Sequence, residues 1–277
     1  MRRIRLDPTG WMTAPAVLYM GIIFALPVAV LVLRSFNGPS GFGIATYVTF
    51  LSDAFNWQVI GNTLRTALLT TLVCLVIGYP TAVALSRSKG IVQVMLLVAI
   101  ILPLSVGVVV KAFAWQIVLR RDGIVSSIIV AIGAWSEPKL LLFTEPGLII
   151  GAANVFLPFM ILPIYSVLKL IDPNLQSAAA TLGASPAYRF FRVSLPLAMP
   201  GIVSGSAIVF SLATSMYVIP SLLIGDRFQT LPTLTGRAFL LMRDEQLGAT
   251  TATLLLVLSL TIVAFSTWAV RSKGDSR

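Results

Sequence analysis

Residues 148–200 read LIIGAANVFLPFMILPIYSVLKLIDPNLQSAAATLGASPAYRFFRVSLPLAMP, and their character changes at Asp172. From Leu148 to Leu168 no charged residue occurs. At 1.5 Å rise per residue, about 20 such residues cross the roughly 30 Å hydrocarbon core of a bilayer. After Asp172 comes a polar, proline-punctuated stretch that ends in a second apolar run. A span followed by a built loop is the pattern from which the rest is read.

Working outward, five further runs have the same length and apolarity: Ala14–Leu33, Val59–Leu85, Ile91–Leu119, Ile202–Ile224 and Gly248–Val270. Apolar residues make up 57% of the chain and charged residues 11%, with a mean hydropathy of +0.94. A water-soluble domain needs about a quarter charged residues to cover its surface, so most of this surface faces lipid. The fold class expected is all-α, a polytopic membrane protein with six transmembrane helices. Pro27, Pro80, Pro103, Pro158, Pro163 and Pro220 fall inside the runs. Membrane helices tolerate proline because neighbours satisfy the freed carbonyls, so these residues are packing kinks or hinges. The first run is too long for a signal peptide and ends at Arg34 without a small-x-small cleavage site, so it reads as an uncleaved anchor. Between the third and fourth runs, Ile124–Trp135 is apolar but too short to cross. It is expected as an interfacial or protein-packed outer helix, with a re-entrant segment as the alternative and Trp135 at headgroup level.

Charge sets the orientation. With the N-terminus inside, the inner segments carry Arg2, Arg3, Arg5, Arg87, Lys89, Lys169, Arg189, Arg192, Arg271, Lys273 and Arg277 against Asp7, Asp172 and Asp275. The outer loops are balanced, and Arg65 and Lys111 fall within runs. This satisfies the positive-inside rule with both termini cytoplasmic. The net charge of +10 is therefore sorted by loop, not gathered on an aromatic-laced face, which excludes nucleic acid as a partner.

The chain lacks the groups for chemistry of its own. It has no histidine, one cysteine (Cys74, in an apolar run) and no Gly-x4-Gly-Lys-Ser/Thr phosphate loop. An imidazole base, a His or Cys metal site and a bound nucleotide are all excluded as cofactor chemistry here. An intramembrane enzyme would need paired acids within the spans, and none occurs. A channel or secondary carrier is a different class of transporter; it commonly relies on buried ionisable groups or an internal repeat.

The inner loop 172–200 carries the strongest signal. Asp172–Pro173 and Ser185–Pro186 each pair a capping side chain with proline at the first helical position. Leu175, Ala179 and Leu182 form an apolar stripe, and Gly183 stands where a left-handed helix terminus needs glycine. Leu195–Pro196 is expected to end the second helix. Small residues at the bend, Ala178, Ala179, Ala180 and Ala184, let another backbone approach closely; a basic amphipathic loop lying on anionic lipid is the competing reading.

Ala178–Ala179, then Gly183 and Val193-Ser194-Leu195-Pro196, resemble the EAA loop of permease subunits of binding-protein-dependent ABC importers. That pattern is Glu-Ala-Ala, three residues, Gly, nine residues, Ile-x-Leu-Pro. The spacing agrees throughout, with Ser177 in place of glutamate and Val193 in place of isoleucine. The likeness extends to Lys111-Ala112-Phe113-Ala114-Trp115, to 155–165 and to 217–225 and 229–234, which are similar to polyamine-type permeases, with opine, phosphonate, thiamine and ferric-iron permeases as cousins. The resemblance implies a type I importer permease fold, with a core over 59–270 preceded by a tail and first helix at 1–34 and an outer loop at 35–58, and followed by a tail at 271–277. It implies an ATPase dimer that holds ATP and Mg, a second homologous permease, an extracytoplasmic solute-binding protein and a bacterial inner membrane. It places Ser177, Ala178, Ala179, Leu182, Gly183, Ala184, Ser185, Pro186, Arg189, Leu195 and Pro196 in the ATPase-coupling loop. Lys111, Trp115, Asn154, Ser211, Thr214, Ser215 and Tyr217 are the candidate polar groups of the pathway. Lys111 either snorkels to the headgroups, faces the pore or holds an outer acid, Asp122 or Glu145; at the pore it would suit an anion better than a polycation.

Overall fold

A computed structural model describes residues 8–38, 41–172, 174–225 and 228–274. The tails at 1–7 and 275–277, and with them the expected cytoplasmic ends, lie outside the described residues, as does Pro173. Buried backbone in lipid must pair within its own segment, and the chain accordingly folds almost wholly as helix. Among the described residues, five helices are long and apolar enough to cross a membrane, or six if one bent pair counts as a single span.

Helix α1 (Pro8–Ser35) leads to a two-residue hairpin, β1 (Asn37–Gly38) and β2 (Gly41–Phe42), then to α2 (Ala45–Ser52) and α3 (Ala54–Arg87). The expected outer loop at 35–58 is thus structured, and α3 begins before Val59. Asp53 caps it, accepting from the Phe55 N–H at 2.9 Å. The outer end of α1 is pinned by an Arg34–Glu245 ion pair and by a Ser35–Tyr47 hydroxyl contact of 2.5 Å.

After a tight turn come α4 (Gly90–Ile101) and α5 (Val108–Val118), expected as one span. They meet at 101°. Pro103 removes an amide from a single 3-10 turn, Leu102–Ser105, and Val106 and Gly107 then adopt extended ψ values of 125° and 143°. The short helix α6 (Ile124–Ala131) follows, and its Val125 and Ile129 pack against the core, as the protein-packed reading expected; Trp135, expected at headgroup level, packs there too, with Lys139 Nζ 5.5 Å from its ring. Helix α7 (Glu145–Leu170) runs unbroken through Pro158 and Pro163.

The loop helices α8 (Asn174–Thr181) and α9 (Pro186–Arg189) come next. The chain does not stop at Leu195–Pro196. It continues through a π turn, Phe190–Ser194, directly into α10 (Leu195–Thr214). The wider π turn spares the ring of Pro196 a collision with the carbonyl four residues back. The expected fifth span is also interrupted: α10 ends at Thr214, and α11 (Val218–Leu223) begins after 215–217. Pro220 cannot donate to the Met216 carbonyl, and Ser215 Oγ bonds the Ser211 and Leu212 carbonyls at 3.0 and 3.3 Å. Helices α12 (Leu231–Arg237) and α13 (Glu245–Gly274) complete the chain, with α1 lying against α13.

The core is α3, α7 and α10. Glycines at the helix contacts set their separation. A Cβ on Gly78 or Gly205 would come within 2.9 and 3.0 Å of the side chain of fully buried Met160. One on Gly201 would lie 2.9 Å from the Pro163 carbonyl oxygen and the Ile164 Cα.

Two charged layers bound this core. Arg65 on α3 pairs with Glu145 at the start of α7, Nε to Oε1 at 2.9 Å. From Arg65 to Arg87 along α3 is about 33 Å, and from Glu145 to Lys169 along α7 about 36 Å, close to the thickness of the hydrocarbon core. Arg65 therefore lies at one edge of the apolar layer and not mid-span. Glu145 belongs to Arg65, not to Lys111.

Replacing Gly201 by leucine forces side chain against backbone and is expected to cost about 1–3 kcal/mol. Gly61, where a Cβ meets nothing within 4 Å, should accept leucine freely. Thermal unfolding in detergent followed by tryptophan fluorescence checks this; equal midpoints for the two variants would refute the packing argument.

Candidate functional site

Helix α8 ends in a complete Schellman motif. Gly183 has φ +82°, its N–H donates to the Ala180 carbonyl at 3.0 Å, and the Ala184 N–H reaches the Ala179 carbonyl at 3.1 Å. Two residues on, Ser185 caps α9, accepting from the Tyr188 N–H at 3.3 Å, with Pro186 at the first helical position. At the start of the loop, Asp172 Oδ1 accepts from the Asn174 N–H at 2.9 Å. All three punctuation marks read from the sequence fold as expected. Ser177 and Ala178 fall within α8, but their side chains lie outside the described residues.

The apolar stripe of α8 turns away from the bundle. Leu182 is 87% exposed and Leu175 46%, and Ala179 is part-buried. On the next helix Tyr188 and Phe191 are 57% and 62% exposed. Beyond its own loop, the segment is tied to the core chiefly through Phe190, whose ring meets Tyr79 of α3 edge-on at 5.7 Å. Arg189 is part-buried, and Leu195 and Pro196 form the first turn of α10. A rigid turn that displays leucine and small residues to water is suited to burial by another protein.

The other cluster lies where the interrupted spans meet α7. A Cβ on Gly151 would find Leu223 of α11 at 2.5 Å, Trp115 of α5 at 3.8 Å and Ile219 of α11 at 3.9 Å. Trp115 Nε1 donates to Asn154 Oδ1 at 3.2 Å, and Gln116 Nε2 to the Leu222 carbonyl at 2.7 Å. The second halves of both broken spans, α5 and α11, are therefore seated together on one glycine. Of the candidate pathway residues, Trp115 and Asn154 are joined. Ser211 and Ser215 lie one turn apart at the end of α10, with the Ser215 hydroxyl turned back on its helix. Thr214 is buried and donates to the Phe210 carbonyl at 2.7 Å. Tyr217 stands at the break, 41% exposed, with its ring edge against Gly236. Lys111 lies in the first turn of α5, and among the described residues neither Asp122 nor Glu145 forms an ion pair with it. Because α5 turns through 101°, residues counted along one straight axis no longer give its depth.

Residues 75–271 match the family model described as binding-protein-dependent transport system inner membrane component. The chain belongs to this family. The match spans the second half of α3 through α13 and so contains the loop, both interrupted spans and the Met160 core. The permease is 35% identical over 192 residues to the spermidine/putrescine transport system permease protein PotB of Haemophilus influenzae, covering 69% of this chain and 67% of that protein. It is 33% identical over 218 residues to the PotB of Escherichia coli K12, covering 78% and 79%. Among solved structures, it superposes with TM-score 0.79 and 19% identity on a chain of a bacterial ABC transporter involved in import of the acidic polysaccharide alginate, covering 97% and 96%. For a chain of the MetNI methionine transporter the values are 0.58 and 19%, covering 79% and 98%. At such identities these structures establish the type I importer permease fold. The permease is a transport component and a multi-pass inner-membrane protein.

The sequence reading missed the breaks at 106–107 and 215–217, the π turn, and the Arg65–Glu145 pair. Asp53, an N-cap residue directly before Ala54, was a legible signal for the true start of α3, and with it for the boundary position of Arg65.

A Cβ on Gly183 meets nothing within 4 Å, so the constraint is the left-handed backbone alone. A β-branched residue there is strained by about 1–2 kcal/mol, whereas asparagine adopts this conformation more readily. Gly183→Val should insert normally yet hydrolyse ATP without uptake, and Gly183→Asn should retain uptake. Uptake by the valine variant at the parent rate would refute the assignment of this turn to coupling.

Proposed function

We propose that this chain is the membrane-spanning subunit of an ATP-driven importer of polyamines, spermidine or putrescine, in the inner membrane of a bacterium. The observation that carries the reading is the similarity to PotB over 78% of the chain. In this reading the 172–200 end and both termini face the cytoplasm, in keeping with the inner excess of arginine and lysine. The exposed turn at Leu182–Gly183, with Ser177, Ala178, Ala179, Ala184, Ser185, Pro186 and Arg189 around it, docks on an ATPase dimer that binds ATP and Mg. A second, homologous permease completes the pathway, and an extracytoplasmic binding protein delivers the solute. The chain performs no hydrolysis of its own. ATP binding draws the ATPases together, the two loops move with them, and the spans open outward; hydrolysis resets them.

Lys111 favours a second reading, an anionic solute such as a phosphonate or an opine. It stands just beyond the bend of a broken span, the kind of interruption from which transporters build solute sites. The two readings separate in proteoliposomes that hold the two permeases and the ATPase, supplied with the binding protein. ATP-dependent uptake of labelled spermidine that persists in Lys111→Ala supports the polyamine. Binding-protein affinity for an anion and none for polyamines overturns it, and uptake without ATP would overturn the importer itself in favour of a channel or carrier.

A further inference from the structure

At the end of the bundle that carries the 172–200 loop, a cavity of about 920 Å³ opens between the α3–α4 turn, the end of α7 and the start of the α9–α10 helix. Its rim holds three cations, Arg87, Lys89 and Lys169, at the level where α3 and α7 leave the hydrocarbon core. Lys169 is held there, donating to Tyr165 Oη at 3.1 Å with its Nζ 5.5 Å from the Tyr165 ring centroid. The acid on the rim, Asp172, is engaged in capping through the Asn174 N–H. Deeper in, the wall is mostly apolar, with Pro80, Val83, Leu168, Val193 and Leu197 beside Tyr79, whose buried hydroxyl forms no hydrogen bond.

A cationic rim at the membrane boundary above an apolar wall matches an amphipathic anion, with charge at one end and hydrocarbon at the other. A small soluble anion would leave the apolar wall wet, and an acidic protein segment would not need a wall running into the core. We propose that this cavity binds an anionic phospholipid of the inner leaflet. Its phosphate rests on Arg87, Lys89 and Lys169, and an acyl chain lies along Val83, Leu168 and Leu197. The assignment to the inner leaflet rests on the proposed orientation. One wall belongs to the helix that carries the loop, through Phe190 and Val193, so the occupied cavity braces that helix against Tyr79 and α3.

The test uses the assembled transporter in phosphatidylcholine nanodiscs doped with spin-labelled phosphatidylglycerol, reading the motionally restricted fraction. The parent should hold the label, and Arg87→Gln, Lys89→Gln and Lys169→Gln combined should weaken retention roughly a hundredfold, each cation near the surface contributing to the attraction. Ala84→Trp fills the cavity and keeps every charge; it should release the label too, and it carries the test if the triple variant fails to assemble. Arginine at 89 and 169 should retain it. Unchanged retention in either the triple variant or Ala84→Trp overturns the proposal. Loss of the ATPase from the triple variant with label retention intact also overturns it, and makes the rim a seat for an acidic partner segment. No solute enters this measurement, so failure of spermidine uptake and failure of lipid retention are separate results.

Discussion

Met160 of α7 is gripped from two sides, by Gly78 of α3 and Gly205 of α10, and the rest of the bundle is arranged around that contact. In lipid the solvent gives helices little reason to associate, so their pairing rests on close van der Waals fit and on hydrogen bonds. The two glycines bring the helix backbones near enough for one unbranched thioether chain to fill the space between all three. Cys74 Sγ, 3.6 Å from the Ala153 carbonyl, and Gly201 against Pro163 extend the same fit along α7 in both directions. Prolines 158 and 163 do not interrupt this helix, which is packed between α3 and α10.

Around this fixed centre the chain spends its irregularity at one end. The α4–α5 bend and the 215–217 break both fall toward the Arg65–Glu145 end, and both second halves settle on Gly151. Broken helices in a membrane leave carbonyls and amides that the helix itself cannot satisfy, and these persist only against protein or a water-lined path. Gln116 meets one such need by donating to the Leu222 carbonyl, and Phe143, at φ 65°, meets another by donating its N–H to the Leu223 carbonyl.

The sequence was most legible where one residue type has one backbone use. Gly183, Ser185 and Asp172 fold as their punctuation requires, because caps and left-handed turns are decided within four or five residues. The apolar runs were legible as helices, since length and hydropathy are properties of each run alone, and five of them, or six with the bent pair, are long enough to cross. The breaks were illegible for the opposite reason. Pro80 and Pro103 look alike in sequence, each near a glycine, yet only the second accompanies a bend. Gly78 is locked against Met160, while a Cβ on Gly107 would find nothing within 4 Å. Whether a proline kinks a helix thus depends on a neighbour 80 residues away. The Arg65–Glu145 pair was hidden in the same way, and its depth followed only once Asp53 set the start of α3.

The helix that begins at Pro186 joins these regions mechanically. It starts two residues after the exposed turn, passes the π turn at Phe190–Ser194, locks onto α7 through Gly201 and Gly205, and ends where Ser215 opens the break. A displacement of the loop is therefore delivered to a rod whose middle is clamped and whose far end is the edge of an interrupted span. A π turn is wider and less regular than the helix on either side, so it is where such a rod yields first. If Phe190 is held firmly against Tyr79, the yielding point is stiffened and the motion passes to the clamp; if it is loose, the loop moves alone. Gly183 fixes the shape of the exposed turn, and the Phe190–Tyr79 contact is what joins the π turn to α3.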